Sequence, residues 1–237
     1  LESSTDKGMA KVWNKTPETL NLDVVRNFWS SWFGIGRWAV EDLYYSLAEK
    51  FVKRVVLADP EGLEALKGRS VLYLANHQVG IESLLFSIIT SGLLEVPTVT
   101  LAKEEHRTTW LGQLIQHCFS YPGVKDPEVM AFFDREDRES LPAIIRELGQ
   151  EMQTGARSVM VHVEGTRSLT SRKPVEKMTG AFIDMAISIG VPIVPVRFVG
   201  GLPEEPLDER IEFPHGLGKQ SYWLGSPIEP QELADLP

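Results

Sequence analysis

Apolar positions along the first quarter of the chain fall at helical spacing. Val25, Phe28, Trp29, Trp32, Ala39, Leu43, Leu47 and Phe51 recur at steps of three, four and seven. Gly34 and Gly36 interrupt the stripe, so it predicts either one helix or two joined near residues 33–37. The stripe is rich in aromatic side chains. Turned inward it is a core face, the reading its spacing favours. Turned outward it is a patch that touches a bilayer or an acyl chain.

From residue 70 the pattern changes. Short continuous apolar runs at 71–75, 97–102, 129–133, 158–163 and 192–199 predict buried strands. Between them, 82–89, 110–118 and 176–189 read as helices. Another helix is expected from about Ser140 to Gly155, with Pro142 tolerated in its first turn. Such alternation predicts an α/β fold with a mostly parallel central sheet flanked by helices, preceded by an N-terminal helical appendage of one or two helices. Gln220–Leu224 is expected to add an edge strand. The division expected is a tail or linker over 1–20, a helical segment over 21–60 and an α/β domain over 61–237.

Charge and composition narrow the class. The formal charge of −9 argues against general nucleic-acid binding, which needs a positive footprint. A single cysteine, Cys118, excludes an intrachain disulfide and fits a reducing compartment such as the cytoplasm. The longest charge-free stretch near the N-terminus runs only over 27–36, too short to span a membrane. The chain begins without Met, as expected of a domain cut from a larger protein.

Candidate chemistry lies at the ends of the predicted strands, where ligands bind in α/β sheets. His77 follows the strand at 71–75, and Glu82 stands five residues on. Five steps along one helix leave two side chains off a common face. The pair meets only if His77 lies on the turn before the helix, with Gly80 as a flexible joint and Glu82 in the first turn. An imidazole held by a carboxylate is a competent general base. After the strand at 158–163 comes Glu164-Gly165-Thr166-Arg167-Ser168, which offers hydroxyls and a guanidinium fork suited to phosphate or carboxylate. Arg135 follows the strand at 129–133, and Arg172 and Lys173 lie near Arg167 in sequence. Cations gathered at strand ends of an acidic chain suggest a focused anion site. His162 and Glu164 alternate onto one strand face, but a structural role for His162 outweighs metal binding. His106, His117 and His215 read as surface or packing residues.

Taken in order, these segments resemble the four blocks of the glycerol-phosphate and lysophosphatidate (PlsC-like) acyltransferases. Asn76-His77 through Glu82 resembles the first block, Phe132-Phe133-Asp134-Arg135 the second, Glu164 through Ser168 the third and Gly190 through Val196 the fourth. Leu224 through Ile228 is similar to the family's closing strand. Three departures stand out: Glu82 replaces the usual Asp, Val163 the usual Pro, and Val129 the usual Gly. The resemblance implies that His77 deprotonates an acceptor hydroxyl for attack on acyl-CoA or an acyl-carrier protein, with Glu82 orienting His77. It implies that Arg135 and Arg167 bind an anionic lipid or alcohol acceptor, with Glu164, Gly165 and Thr166 shaping the pocket. No metal or other cofactor is expected. A cytoplasmic protein peripheral to the membrane fits this picture. The alternatives are a non-catalytic acyl-binding module, motivated by Glu82, and an acyl-offloading domain of a multi-domain synthase. A serine hydrolase lacks its Gly-x-Ser-x-Gly elbow here.

Overall fold

The structure, a computed structural model, describes residues 11–12, 14–16, 19–38, 40–117, 126–134, 136–171, 175, 178 and 180–234. Two short strands, β1 (Lys11–Val12) and β2 (Asn14–Thr16), open the described chain, and β3 (Thr19–Leu20) pairs with β2 in a hairpin. Helices α1 (Asp23–Phe33) and α2 (Glu41–Phe51) follow, so the predicted stripe is two helices. Strand β4 (Val52–Leu57) continues directly from α2, and α3 (Pro60–Glu64) turns the chain into the alternating region.

That region runs β5 (Leu72–Ala75), α4 (Glu82–Leu94), β6 (Thr98–Lys103), a 3-10 turn (Glu104–His106), α5 (Trp110–Gln116), β7 (Met130–Phe133), α6 (Ser140–Gln153) and β8 (Ser158–His162). It closes with α7 (Ala181–Ile189), β9 (Ile193–Val199), β10 (Gln220–Leu224) and α8 (Pro230–Ala234). The main sheet has the order β1-β4-β10-β9-β5-β8-β6-β7. From β9 to β7 all neighbours are parallel; β10 runs antiparallel to β9 and parallel to β4. A mostly parallel α/β sheet flanked by helices is therefore present, as the alternation predicts.

Side chains alternate between the two faces, as the strand period requires. Tyr73, Met160 and Val194 join the cluster built with α1, α2 and α4, while Leu72, Val159 and Ile193 join the cluster built with α6 and α7. Helix α4 is buried on nearly every side, because α1 covers the flank that the sheet does not. Trp29 is wholly buried there and donates its indole N–H to the Ile88 carbonyl at 3.1 Å. The aromatic stripe is thus chiefly core. Trp32, Val40 and Leu43 are its exposed fringe.

Two expectations change. Residues 52–57, inside the segment expected to be helical to residue 60, form a strand whose Val55, Val56 and Leu57 are buried. Because β4 pairs outside it, β10 is an interior strand and not the edge. The β10–β4 register shifts at Gln220/Ser221, and such bulges re-aim side chains. Helix α7 is described from Ala181; residues 176, 177 and 179 of the longer expected helix, like Cys118, lie outside the described residues. Among the described residues, no helix is long and apolar enough to cross a membrane.

Candidate active site

The turn between β5 and α4 is tied down at both ends. Asn76 donates its amide to the Phe198 carbonyl at 3.0 Å and accepts from the Phe198 N–H at 2.7 Å, which locks the turn onto β9. Ile81 and Gly80 donate their backbone N–H groups to the carbonyls of Glu212 and Ile211. Gly80 also leaves room in the turn: a Cβ there would crowd the ends of the Glu212 and Leu111 side chains, which would have to shift.

His77 lies on this turn and Glu82 in the first turn of α4, and the two touch. His77 Nδ1 stands 2.8 Å from Glu82 Oε1. Glu82 is wholly buried and surrounded by donors. Oε1 also accepts from the Gln78 N–H at 2.7 Å; Oε2 accepts from the Val79 N–H at 3.2 Å and from the Gln220 amide at 2.8 Å. Four donors and the positive end of α4 favour the carboxylate anion. Burial works against them and pushes the Glu82 carboxyl up, to about 7. Facing a hydrogen-bond acceptor, Nδ1 of His77 carries the ring proton. Nε2 has no hydrogen-bond partner among the described residues, and the ring borders the main cavity. Burial holds His77 well below the usual imidazole range, and Arg167, His106 and Lys103 push the same way.

A second imidazole lies against the first. The His77 and His162 rings stack with centroids 3.5 Å apart and planes 13° off parallel. His162 Nδ1 faces the Asn76 carbonyl at 2.9 Å and therefore donates to it; Nε2, 2.8 Å from Ser83 Oγ, accepts from that hydroxyl. Burial drives His162 down to about 3, so it is neutral at ordinary pH. The ligand atoms of His77, Glu82 and His162 lie within 4.8 Å of one another, a spacing that could hold a metal ion. Both nitrogens of His162 and both oxygens of Glu82 are already engaged in hydrogen bonds, so the cluster fits a hydrogen-bonded network better than a ligand set.

The loop after β8 faces the same cavity, whose volume is about 910 Å³. Glu164, Gly165, Thr166 and Arg167 all line it, as does His77. Gly165 takes φ +65, a conformation side-chain-bearing residues resist. The two loops are joined where the Ser168 N–H meets the His77 carbonyl at 2.8 Å. Arg167 reaches back to a strap formed by residues 200–219. Its Nη1 donates to the Ile211 carbonyl and pairs with Glu212 Oε1, both at 2.9 Å. Arg210 in turn donates to the Arg167 carbonyl.

Arg135, Arg172 and Lys173 lie outside the described residues; Phe133 and Asp134, just before Arg135, border the cavity. The lining is mixed in sign: Lys103, Arg138 and Arg210 are accompanied by Glu105, Asp137 and Glu212. His106 also lines the cavity, while His117 and His215 are exposed. Sequence reading missed Gln220, Glu212 and the stacking role of His162. Gln220 is 138 positions from Glu82, and nothing in its strand marks it as chemical.

The α/β sheet thus carries a His–Glu pair and an Arg-bearing loop at adjacent strand ends, the arrangement that the first and third blocks predict. The comparison with protein families agrees: the acyltransferase family model matches residues 58–199, well over half of the chain. The chain belongs to this PlsC-like acyltransferase family, and its activity class is acyl transfer between a donor and an acceptor. No match is found among curated proteins. His77, Glu82 and the Glu164–Arg167 loop fall inside the matched segment; Glu212 and Gln220 fall beyond it.

Proposed function

We propose that the chain moves a fatty-acyl group from acyl-CoA or an acyl-carrier protein to the hydroxyl of an anionic acceptor, a lysophospholipid or a glycerol-phosphate-like alcohol. His77 Nε2 takes the hydroxyl proton. The alkoxide oxygen attacks the thioester carbonyl, and the tetrahedral intermediate collapses with loss of the thiolate. The thiolate then takes the proton from His77, so the products are an ester and a free thiol. Glu82 holds the ring in the Nδ1–H form and balances the charge His77 carries in passing. No acyl-enzyme and no cofactor enter this sequence.

One observation carries the reading: the 2.8 Å contact between His77 and Glu82 at the wall of the cavity that Arg167 also lines. Its volume lies within the usual range for a substrate site. Arg167 uses Nη1 on the strap, and its remaining N–H groups have no partner among the described residues. Those groups, with Arg135, are assigned to the acceptor's anion. Glu164, Gly165 and Thr166 shape its pocket. The reaction is assigned to the cytoplasm at a membrane surface, where the exposed Trp32, Val40 and Leu43 meet lipid.

The test is incubation of the protein with mixed acyl thioesters and candidate alcohols, with thiol release followed and products identified by mass spectrometry. An acyl ester made by wild type and absent with His77→Ala is expected. A His77→Ala protein that keeps the full rate would defeat the mechanism. Co-sedimentation with anionic liposomes, unchanged when Trp32 and Leu43 are made polar, would defeat the membrane assignment.

A further inference from the structure

We propose that His162 is a positioning residue that acts through His77, its stacked ring fixing the plane of the proposed base and sealing the ring face that water would otherwise reach. The inference rests on the acyl-transfer reading only for its kinetic arm.

The geometry is specific. His162 ends β8, so its backbone is fixed in the interior of the parallel sheet. Its two ring nitrogens grip the turn at either side of the working pair: Nδ1–H holds the carbonyl of Asn76, the residue before His77, and Nε2 receives the hydroxyl of Ser83, the residue after Glu82. A ring so held cannot rotate without breaking one of these bonds. Among the described residues His77 has one in-plane anchor, the bond from Nδ1 to Glu82, and a single bond leaves a ring able to tilt about it. The parallel face of His162 at 3.5 Å removes that freedom.

The platform also suits a ring that gains charge. When His77 accepts a proton it becomes a cation, and a neutral aromatic face at stacking distance is a favourable neighbour. A charged one would repel it. His162 stays neutral because burial keeps its proton affinity low. The other groups that bear on the pair are Glu82 from α4, Arg167 from the loop after β8, Lys103 at the end of β6 and His106 in the 3-10 turn. Arg167, Lys103 and His106 oppose a proton on His77, as does its burial. Opening the stacked face to water would relieve that burial.

Two substitutions separate the ring from its hydrogen bonds. His162→Phe keeps an aromatic face and loses both polar contacts. His162→Gln keeps an amide donor and acceptor and loses the ring. The imidazole resonances of the full chain, with His77 assigned by His77→Ala, are followed by NMR across pH. His77 in His162→Phe is expected to titrate with wild type, and in His162→Gln to shift upward toward the ordinary imidazole range. With palmitoyl-CoA and lysophosphatidate or glycerol 3-phosphate, kcat/KM at neutral pH is expected to fall on the order of 10–100-fold in His162→Gln, the scale of a misplaced reacting group. In His162→Phe the loss is expected to be clearly smaller. Identical His77 titrations in all three proteins, or a shift in His162→Phe as large as in His162→Gln, would overturn the proposal. A merely structural His162 would lower Tm in both variants and move neither titration. If wild type turns over no acyl thioester, the acyl-transfer reading fails while the NMR comparison still decides the role of His162.

Discussion

The two loops that meet at the cavity are held in opposite ways. The turn after β5 is closed: Glu82 is wholly buried, each of its oxygens has two donors, and Asn76 and His162 pin the flanking backbone. The loop after β8 leans outward on a strap. Arg167 is held through one nitrogen, by a Glu212 that is about a third exposed, and residues 204–206 and 208–210 beside it face solvent. On the proposed mechanism the first loop moves a proton, a step that depends on tenths of an ångström, and its bonds suit that demand. The second loop, proposed to grip the acceptor, is held more loosely, and gripping tolerates adjustment. The same sheet therefore carries a fixed half and an adaptable half.

Substitutions can break this contrast. The largest effect is expected in the fixed half. His77→Ala should reduce kcat by about 10³-fold, the scale of a lost general base, with little change in Tm. Thiol release and thermal unfolding measure the two. A large Tm drop with the rate preserved would mean that the turn is structural only.

Glu82 comes next. Glu82→Gln places an amide donor where four donors already converge, so one pair must face each other unsatisfied. A loss of about 10²-fold or more in kcat is expected, with about 1–3 kcal/mol of stability lost to the unpaired group. Glu82→Asp keeps the charge but is one methylene shorter, and it should retain activity while loosening the bond to Gln220. Equal rates for the Gln and Asp variants would remove the carboxylate from the mechanism.

Acid should expose the fixed half as well. His162 titrates near 3 when folded and near 6.5 when unfolded, so the unfolded chain binds more protons between those values. The His162 contribution is then lost as pH falls from about 6.5 toward 3, by up to about 1.4 kcal/mol per pH unit, while Glu82, raised to about 7, contributes the opposite slope between about 7 and 4.5. Urea titrations at several pH values should show the His162 slope below about pH 4.5, where Glu82 no longer opposes it, and His162→Phe should flatten it. His77, held low by burial, shares the sign, so the rate should fall first as pH drops through about 7, where Glu82 takes up its proton, and not at the ordinary imidazole range. A rate that stays level through the Glu82 titration would mean that its carboxylate takes no part in the chemistry.

The smallest effect belongs to the adaptable half. Arg167→Lys should raise KM for an anionic acceptor by about tenfold and change kcat less, since a lysine cannot reproduce the planar fork. A drop in kcat with KM unchanged would move Arg167 from the grip to the chemistry.

Much of the fixed half was legible in the sequence. The apolar runs mark β5 to β9 to within a residue or two; in β8, and nearly so in β5, the cause is burial on both faces, which leaves little room for polar residues. The His77–Glu82 contact follows from a five-residue gap that only a turn and a helix start can close. What stayed hidden is long-range. Periodicity does not order strands, so β10 reads as an edge strand until β4 is seen beside it. Gln220 and Glu212 come from the far end of the chain and carry no spacing signal. Val52–Leu57 reads as the tail of the helical segment because Lys53 and Arg54 break its apolar run.

Placing β10 between β4 and β9 makes residues 200–234 part of the apparatus that the family segment alone only begins. A fragment ending at residue 199 would leave one flank of β9 bare, ready to pair with a neighbouring molecule. It would also strip one oxygen of Glu82 of its amide donor. Such a truncated product should clump before it catalyses, and a separately made piece carrying residues 200–234 should restore both solubility and turnover when the two are mixed.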